Sequence, residues 1–135
     1  MSTYRSLDFL IEAEHNEKNL KAILKNCDNL DFVYCLGRFD KILSADDAVK
    51  FFINIEENEP SCISLKMHDI IVDFSILKET NNTLQIGFWV GHLFWVKHEK
   101  DSTAKYVLDV ERYFKKLMLI CNGFKIINAS FEYQY

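Results

Sequence analysis

The chain has 135 residues, of which 49% are hydrophobic and 27% charged, a composition that excludes intrinsic disorder and predicts one domain over residues 1–135. Sixteen Lys and Arg side chains stand against twenty Asp and Glu side chains, so the net charge is −4. This balance argues against a generic nucleic-acid binder, because neutralising phosphates needs a surplus of Lys and Arg.

The sequence also predicts a cytoplasmic protein that does not enter a membrane. The N-terminus lacks the basic and apolar regions of a signal peptide. The longest apolar run, residues 86–96, is too short to span a bilayer as a helix. The four cysteines form no CxxC pair and lie among apolar neighbours, so we expect reduced thiols packed as small hydrophobic groups.

Three elements are predicted before residue 40. Residues 6–13 alternate apolar and polar side chains, which is typical of a strand with one buried face. Residues 16–26 place Leu20, Ile23 and Leu24 at helical spacing, with Asn16 as the N-cap of a short amphipathic helix. A brief apolar run at residues 32–36 predicts a second strand.

A second helix is predicted from about residue 45 to residue 55. Ser44 is a good N-cap, and Asp46 and Asp47 complement the positive end of the helix dipole. Pro60 closes the region, because the residue before a proline is pushed out of helical space.

The apolar period then changes to two, which predicts an antiparallel meander. Its strands are residues 62–67, 70–79 and 83–90, with a turn at residues 80–83 and a further strand at residues 93–99 after Gly91. The segment from Gly87 to Trp95 holds both tryptophans, so one large aromatic side chain faces away from the main core unless helices cover both faces of the sheet.

Residues 102–122 give the strongest helical pattern, with an apolar stripe that includes Leu117 and Cys121 and a stop at Asn122-Gly123. Residues 124–135 alternate as a final strand. The predicted order is β-α-β-α-β-β-β-(β)-α-β, an α+β domain in which two to three helices pack on an antiparallel sheet.

No set of residues predicts catalysis, and we expect a protein that is not an enzyme and holds neither a metal nor a cofactor. His92 and His98, with Glu99, lack a third ligand at a known spacing. Asp69 and Asp73 share a strand face, but four residues of strand separate them by about 13 Å, too far for a paired-carboxylate site. The glycines form no phosphate-binding pattern.

Charge is the most informative feature of the chain. Residues 39–60 hold six acidic and two basic side chains, a net charge of −4 that equals that of the whole chain. Such a segment attracts a basic partner and speeds association, or it is only a solvated surface. The candidate partner-binding residues are Asp46, Asp47, Glu56, Glu57 and Glu59.

The chain resembles bacterial immunity proteins, including those of contact-dependent growth inhibition systems. The resemblance lies in size, acidity and layout over the whole chain, and most visibly in the closing helix and strand, Y-V-L-D-V-E-R-Y-F-K-K-L-M-L-I-C-N-G-F-K-I-I-N-A-S-F-E-Y. It implies a protein that binds and neutralises one toxin domain, often a basic nuclease.

Two other functions stay open. The chain is also similar in size and acidity to type III secretion chaperones, which bind an extended effector segment, although those chaperones usually open and close with helices. A small-ligand-binding or enzymatic α+β domain would need polar groups converging on a pocket. The oligomeric state is open between monomer and homodimer.

Overall fold

Seven strands form one antiparallel sheet in the structure, a computed structural model that describes residues 4–36, 41–57, 62–67, 70–90 and 115–134. The order across the sheet is β3-β2-β4-β5-β6-β1-β7, and each pairing between described neighbours is antiparallel. The strands are β1 (Tyr4–Glu12), β2 (Val33–Leu36), β3 (Lys41–Ile42), β4 (Ile63–Met67), β5 (Ile70–Thr80), β6 (Thr83–Val90) and β7 (Ile126–Gln134).

Two α-helices complete the described fold, α1 (Glu17–Asn29) and α2 (Ala45–Ile53). Short 3-10 turns lie at Ile55–Glu57 and Leu119–Cys121, and the latter continues a helical turn at residues 115–118. Helices beside an antiparallel sheet confirm the predicted α+β class.

Both α-helices begin at the predicted caps. The side chain of Asn16 accepts a hydrogen bond from the Asn19 amide at 2.9 Å, and the hydroxyl of Ser44 accepts one from the Asp47 amide at 3.1 Å. Each bond satisfies an amide that the first helical turn leaves without a backbone partner. Helix α1 buries one stripe, formed by Leu20, Ile23, Leu24 and Cys27.

The core lies between the helices and one face of the sheet. Phe52 of α2 packs edge-on against Phe74 of β5, with ring centroids 5.3 Å apart. Phe74 stacks on its cross-strand partner Phe88 of β6 at 5.2 Å, and Phe88 meets Phe9 of β1 at 6.2 Å. This row of rings joins α2 to three neighbouring strands, and aromatic pairs of this kind stabilise a core beyond their buried area.

The predicted meander is confirmed over β4, β5 and β6, which are consecutive in the chain and adjacent in the sheet. The sheet extends beyond it on both sides. On one side β1 lies between β6 and β7, so the first and last described strands are neighbours. On the other side β4 is followed by β2 and β3.

Some element boundaries differ from the prediction. Helix α1 runs on to Asn29, and α2 ends at Ile53 before the 3-10 turn. The two-residue strand β3 was not predicted, because so short a strand leaves no periodicity in the sequence. The predicted strand at residues 93–99 and most of the predicted helix at residues 102–122 lie outside the described residues. The end of that helix is described, and Gly123 has the positive φ of 90° expected of a helix stop.

Candidate functional site

The structure divides the predicted acidic segment between the two ends of α2. Asp46 and Asp47 are exposed in the first turn. Glu56 is exposed in the 3-10 turn that follows the helix, and Glu57 belongs to the same turn. Since a helical residue rises about 1.5 Å, the two acidic pairs lie roughly 10–15 Å apart along the axis. Glu59 lies outside the described residues.

The acidic pair at the start of α2 has a structural explanation. Negative side chains in a first turn are stabilised by the positive end of the helix dipole. The capping hydroxyl of Ser44 holds the Asp47 amide, so this turn is well formed. Lys21 of α1 is ion-paired with Glu17 at 2.8 Å. It also lies near enough to Asp46 for the aspartate charge to favour the protonated form of Lys21. Asp46 and Asp47 therefore stabilise α2 whether or not they meet a partner.

The acidic pair at the end of α2 lies where negative charge is unfavourable. The C-terminal end of a helix carries a partial negative charge, so carboxylates beside it are destabilising. The Nε2–H group of His15 donates a hydrogen bond to the backbone carbonyl of Phe52, in the last turn of α2, at 2.8 Å. No ion pair between described residues involves Glu56. Fold stability alone thus gives no reason for acidic residues at this position.

A buried isoleucine holds the 3-10 turn after α2 against the core. Ile55 is 3% exposed and belongs to the core, whereas its neighbour Glu56 points to solvent. Ile53, the last residue of α2, is 38% exposed and is one of the large apolar side chains on the described surface. Protein-binding surfaces commonly combine an apolar centre with a polar rim. We call Ile53, Glu56 and Glu57 the acidic turn.

A second polar cluster, which the sequence did not predict, lies on the outer face of the sheet, the face turned away from Phe74 and Phe88. Cross-strand register brings Asp8 of β1 opposite Gly87 of β6, and Gly87 opposite Ser75 of β5. A Cβ atom on Gly87 would lie 2.9 Å from Asp8 Oδ1, 3.1 Å from Trp89 Cη2 and 3.2 Å from Ser75 Oγ. Glycine at this position therefore lets a carboxylate, an indole ring and a hydroxyl meet above the strand.

The outer cluster combines a buried hydroxyl, a carboxylate and an indole ring. Ser75 is 2% exposed, and its hydroxyl has no hydrogen-bond partner among the described residues. A serine nucleophile needs a base in hydrogen-bond contact, and none of the described side chains supplies one. A carboxylate beside an aromatic ring is a pairing suited to a cationic group.

Sequence patterns predict the individual strands but not this meeting of side chains. The alternation in β1 and in β6 was visible, as were Gly87 and Trp89. Their juxtaposition depends on β1 pairing with β6, a contact between residues about 80 positions apart in the chain. Trp89 is partly exposed on the outer face while Phe88 is buried, in agreement with the predicted alternation.

No group of three or more His, Cys, Asp or Glu side chains in the described ranges could hold a metal ion. Four residues weighed above as metal ligands or as one of a carboxylate pair lie outside those ranges: His92, His98, Glu99 and Asp69. Asp73 is exposed on β5, where Ser64 and Trp89 are its cross-strand partners.

All four cysteines are free thiols, as predicted. Burial raises the pKa of Cys27 far above its ordinary value, with a further contribution from the Asp28 carboxylate. Burial likewise raises the pKa of Cys121 to about 12 and shifts the pKa of Cys62 upwards. A thiol attacks as its thiolate, so raised pKa values make these three groups poor nucleophiles at neutral pH.

No family model, curated protein or solved structure matches this chain. Within the part of the chain that the structure covers, no helix is both long enough and apolar enough to cross a membrane.

Proposed function

We propose that this chain is a small cytoplasmic immunity protein that binds and neutralises a cognate toxin domain with a basic surface, such as a nuclease. It acts by covering its partner and performs no catalysis of its own. The observation that carries the proposal is the acidic turn, where the exposed Glu56 follows the negative end of α2 and the exposed Ile53 is the last residue of that helix.

The two ends of α2 have different roles in this proposal. Asp46 and Asp47 support the first turn and add to the negative field that draws a basic partner towards the helix. The acidic turn makes the contact, because its carboxylates offer acceptors to Lys and Arg and its isoleucine offers an apolar centre. Steering by such charges mainly raises the association rate, and salt weakens it.

The test uses the C-terminal domain of any large secreted protein encoded beside this chain's gene. The full chain and that domain are mixed, and the association rate is measured by stopped flow at low and moderate salt. Glu56→Lys combined with Glu57→Lys should slow association about 10-fold or more at low salt, because it replaces attraction by repulsion. Co-expression of the unaltered chain should also restore growth to cells that produce the toxin domain.

The matched control is Glu12→Lys combined with Glu79→Lys, which makes the same change in net charge at two exposed acidic positions on strands β1 and β5. Equal slowing by both double variants would show that only total charge matters. An association rate that does not depend on salt, or a chain that fails to protect cells from the toxin domain, would contradict the proposal.

A further inference from the structure

Strand β7 lies at one edge of the described sheet. It spans nine residues, Ile126–Gln134, and among the described strands it pairs with β1 alone. An edge strand presents a row of backbone N–H and C=O groups that can pair with another strand. The opposite edge strand, β3, is only two residues long.

Side chains along the first part of β7 are exposed on both faces of the sheet. Every residue from Lys125 to Ser130 is exposed, including Ile126 at 37% and Ile127 at 48%. The preceding helical turn adds Met118 at 48% and Leu119 at 49%. Half of the large apolar side chains that the described residues expose thus lie in this short C-terminal stretch.

The edge carries little of the protection that natural sheets use against pairing with a second chain. Such edges are usually guarded by several charges, a proline or a central bulge. Strand β7 contains one charged residue, Glu132, and no proline. Its register irregularity against β1 lies near the start of the strand, beside Ile126, and leaves the rest regular.

We propose that β7 is a dimerisation strand, which pairs antiparallel with β7 of a second copy of this chain to give one continuous sheet. The strand is self-complementary in the register centred on Ser130. In that register Ala129 falls opposite Phe131, and Glu132 falls opposite Asn128. The one acidic position of each strand therefore lies opposite an asparagine position, and the register places no two like charges opposite each other.

A second copy suits this edge better than a strongly basic or acidic strand. The residues of β7 carry one negative charge over nine positions, so the edge offers little charge for recognising a highly charged segment. A C2 dimer also makes each contact twice, which is how a short interface gains affinity. This inference is independent of the acidic turn, which lies on α2.

Sedimentation velocity of the full chain, from low to high concentration, tests the proposal. The unaltered chain should shift from monomer to dimer. Asn128→Lys faces Glu132 of the second copy twice and should tighten the dimer by roughly 2- to 30-fold, as two favourable cross-strand pairs predict. Asn128→Glu should weaken it by a similar factor.

Ala22→Lys and Ala22→Glu are matched controls, because Ala22 is exposed on α1 and these variants make the same changes in net charge. Circular dichroism checks that each variant is folded. Hydrogen exchange of the unaltered chain gives a second measurement that needs no substitution, since dimerisation should slow exchange of amides in β7.

An unaltered chain that stays monomeric at every concentration would overturn the proposal. So would a dimer whose affinity follows net charge equally at positions 128 and 22, or one that slows exchange only outside β7.

Discussion

At the scale of single residues, two serines show how the same side chain has opposite effects in different places. The hydroxyl of Ser44 caps α2 by accepting from the Asp47 amide. The hydroxyl of Ser75 is buried on the outer face without a hydrogen-bond partner among the described residues. A capping hydroxyl stabilises a helix, whereas a buried unpaired hydroxyl costs its desolvation energy.

Substituting each serine by alanine should separate these effects. Ser44→Ala should lower the free energy of unfolding by about 0.5–2 kcal/mol, because the helix loses its cap. Ser75→Ala should leave it unchanged or raise it by up to about 1 kcal/mol, since no hydrogen bond is lost. Urea denaturation measures both. A loss of more than about 1 kcal/mol in Ser75→Ala would mean that its hydroxyl is satisfied after all.

At the scale of elements, the helical turn at residues 115–121 is joined to α1 by a polar clamp and an apolar contact. The side-chain amide of Asn26 donates to the Ile120 carbonyl at 2.9 Å and to the Asn122 carbonyl at 2.8 Å. Beside this clamp, Cys27 and Cys121 are buried, and Leu117 is fully buried in the same core. The segment before β7 is therefore part of the core rather than a surface connection.

Leu117→Ala should lower the free energy of unfolding by about 2–5 kcal/mol, because it leaves a cavity in the core. Met118→Ala is the matched control. Its side chain is 48% exposed, so a change within about 0.5 kcal/mol is expected. Chemical denaturation of the two variants gives the comparison directly. Similar small losses in both would mean that this helical turn does not belong to the core.

At the scale of the whole molecule, two buried thiols and a buried tyrosine hydroxyl make the free energy of unfolding depend on pH in the alkaline range. Burial raises the pKa of both Cys27 and Cys121, whose ordinary value is 9.0. Burial and a hydrogen bond to Asp28 raise the pKa of Tyr34 as well. In the unfolded chain these groups lose their protons near their ordinary pKa values, while the folded chain retains them.

Stability should therefore be fully retained below about pH 9 and should fall as the pH rises towards 12, the folded pKa of Cys121. Each thiol contributes a slope of at most about 1.4 kcal/mol per pH unit. Denaturation at several pH values, with Cys27→Ala as the comparison, measures the slope. The variant should lose less stability per pH unit than the unaltered chain, and an identical slope would contradict the assignment.

Local patterns account for most of the predicted elements. The N-caps Asn16 and Ser44, the stop at Gly123 and the period-two alternation of β5 and β6 all depend on neighbouring residues, so they can be recognised in the chain alone. The acidic composition around α2 was visible for the same reason. The division of the acids between the two ends of α2 followed from the helix boundary, which sequence patterns place less accurately than the helix itself.

The chain alone predicts the α+β class, the caps, the meander and the concentration of acidic residues, because each of these depends on short-range periodicity and composition. The fold alone shows that β1 separates β6 from β7, that Asp8, Ser75 and Trp89 meet over Gly87, and that β7 lies at one end of the described sheet. These features depend on pairing between distant strands. Their register is chosen by which faces bury the most apolar surface together, a property of the whole sheet that no single segment contains.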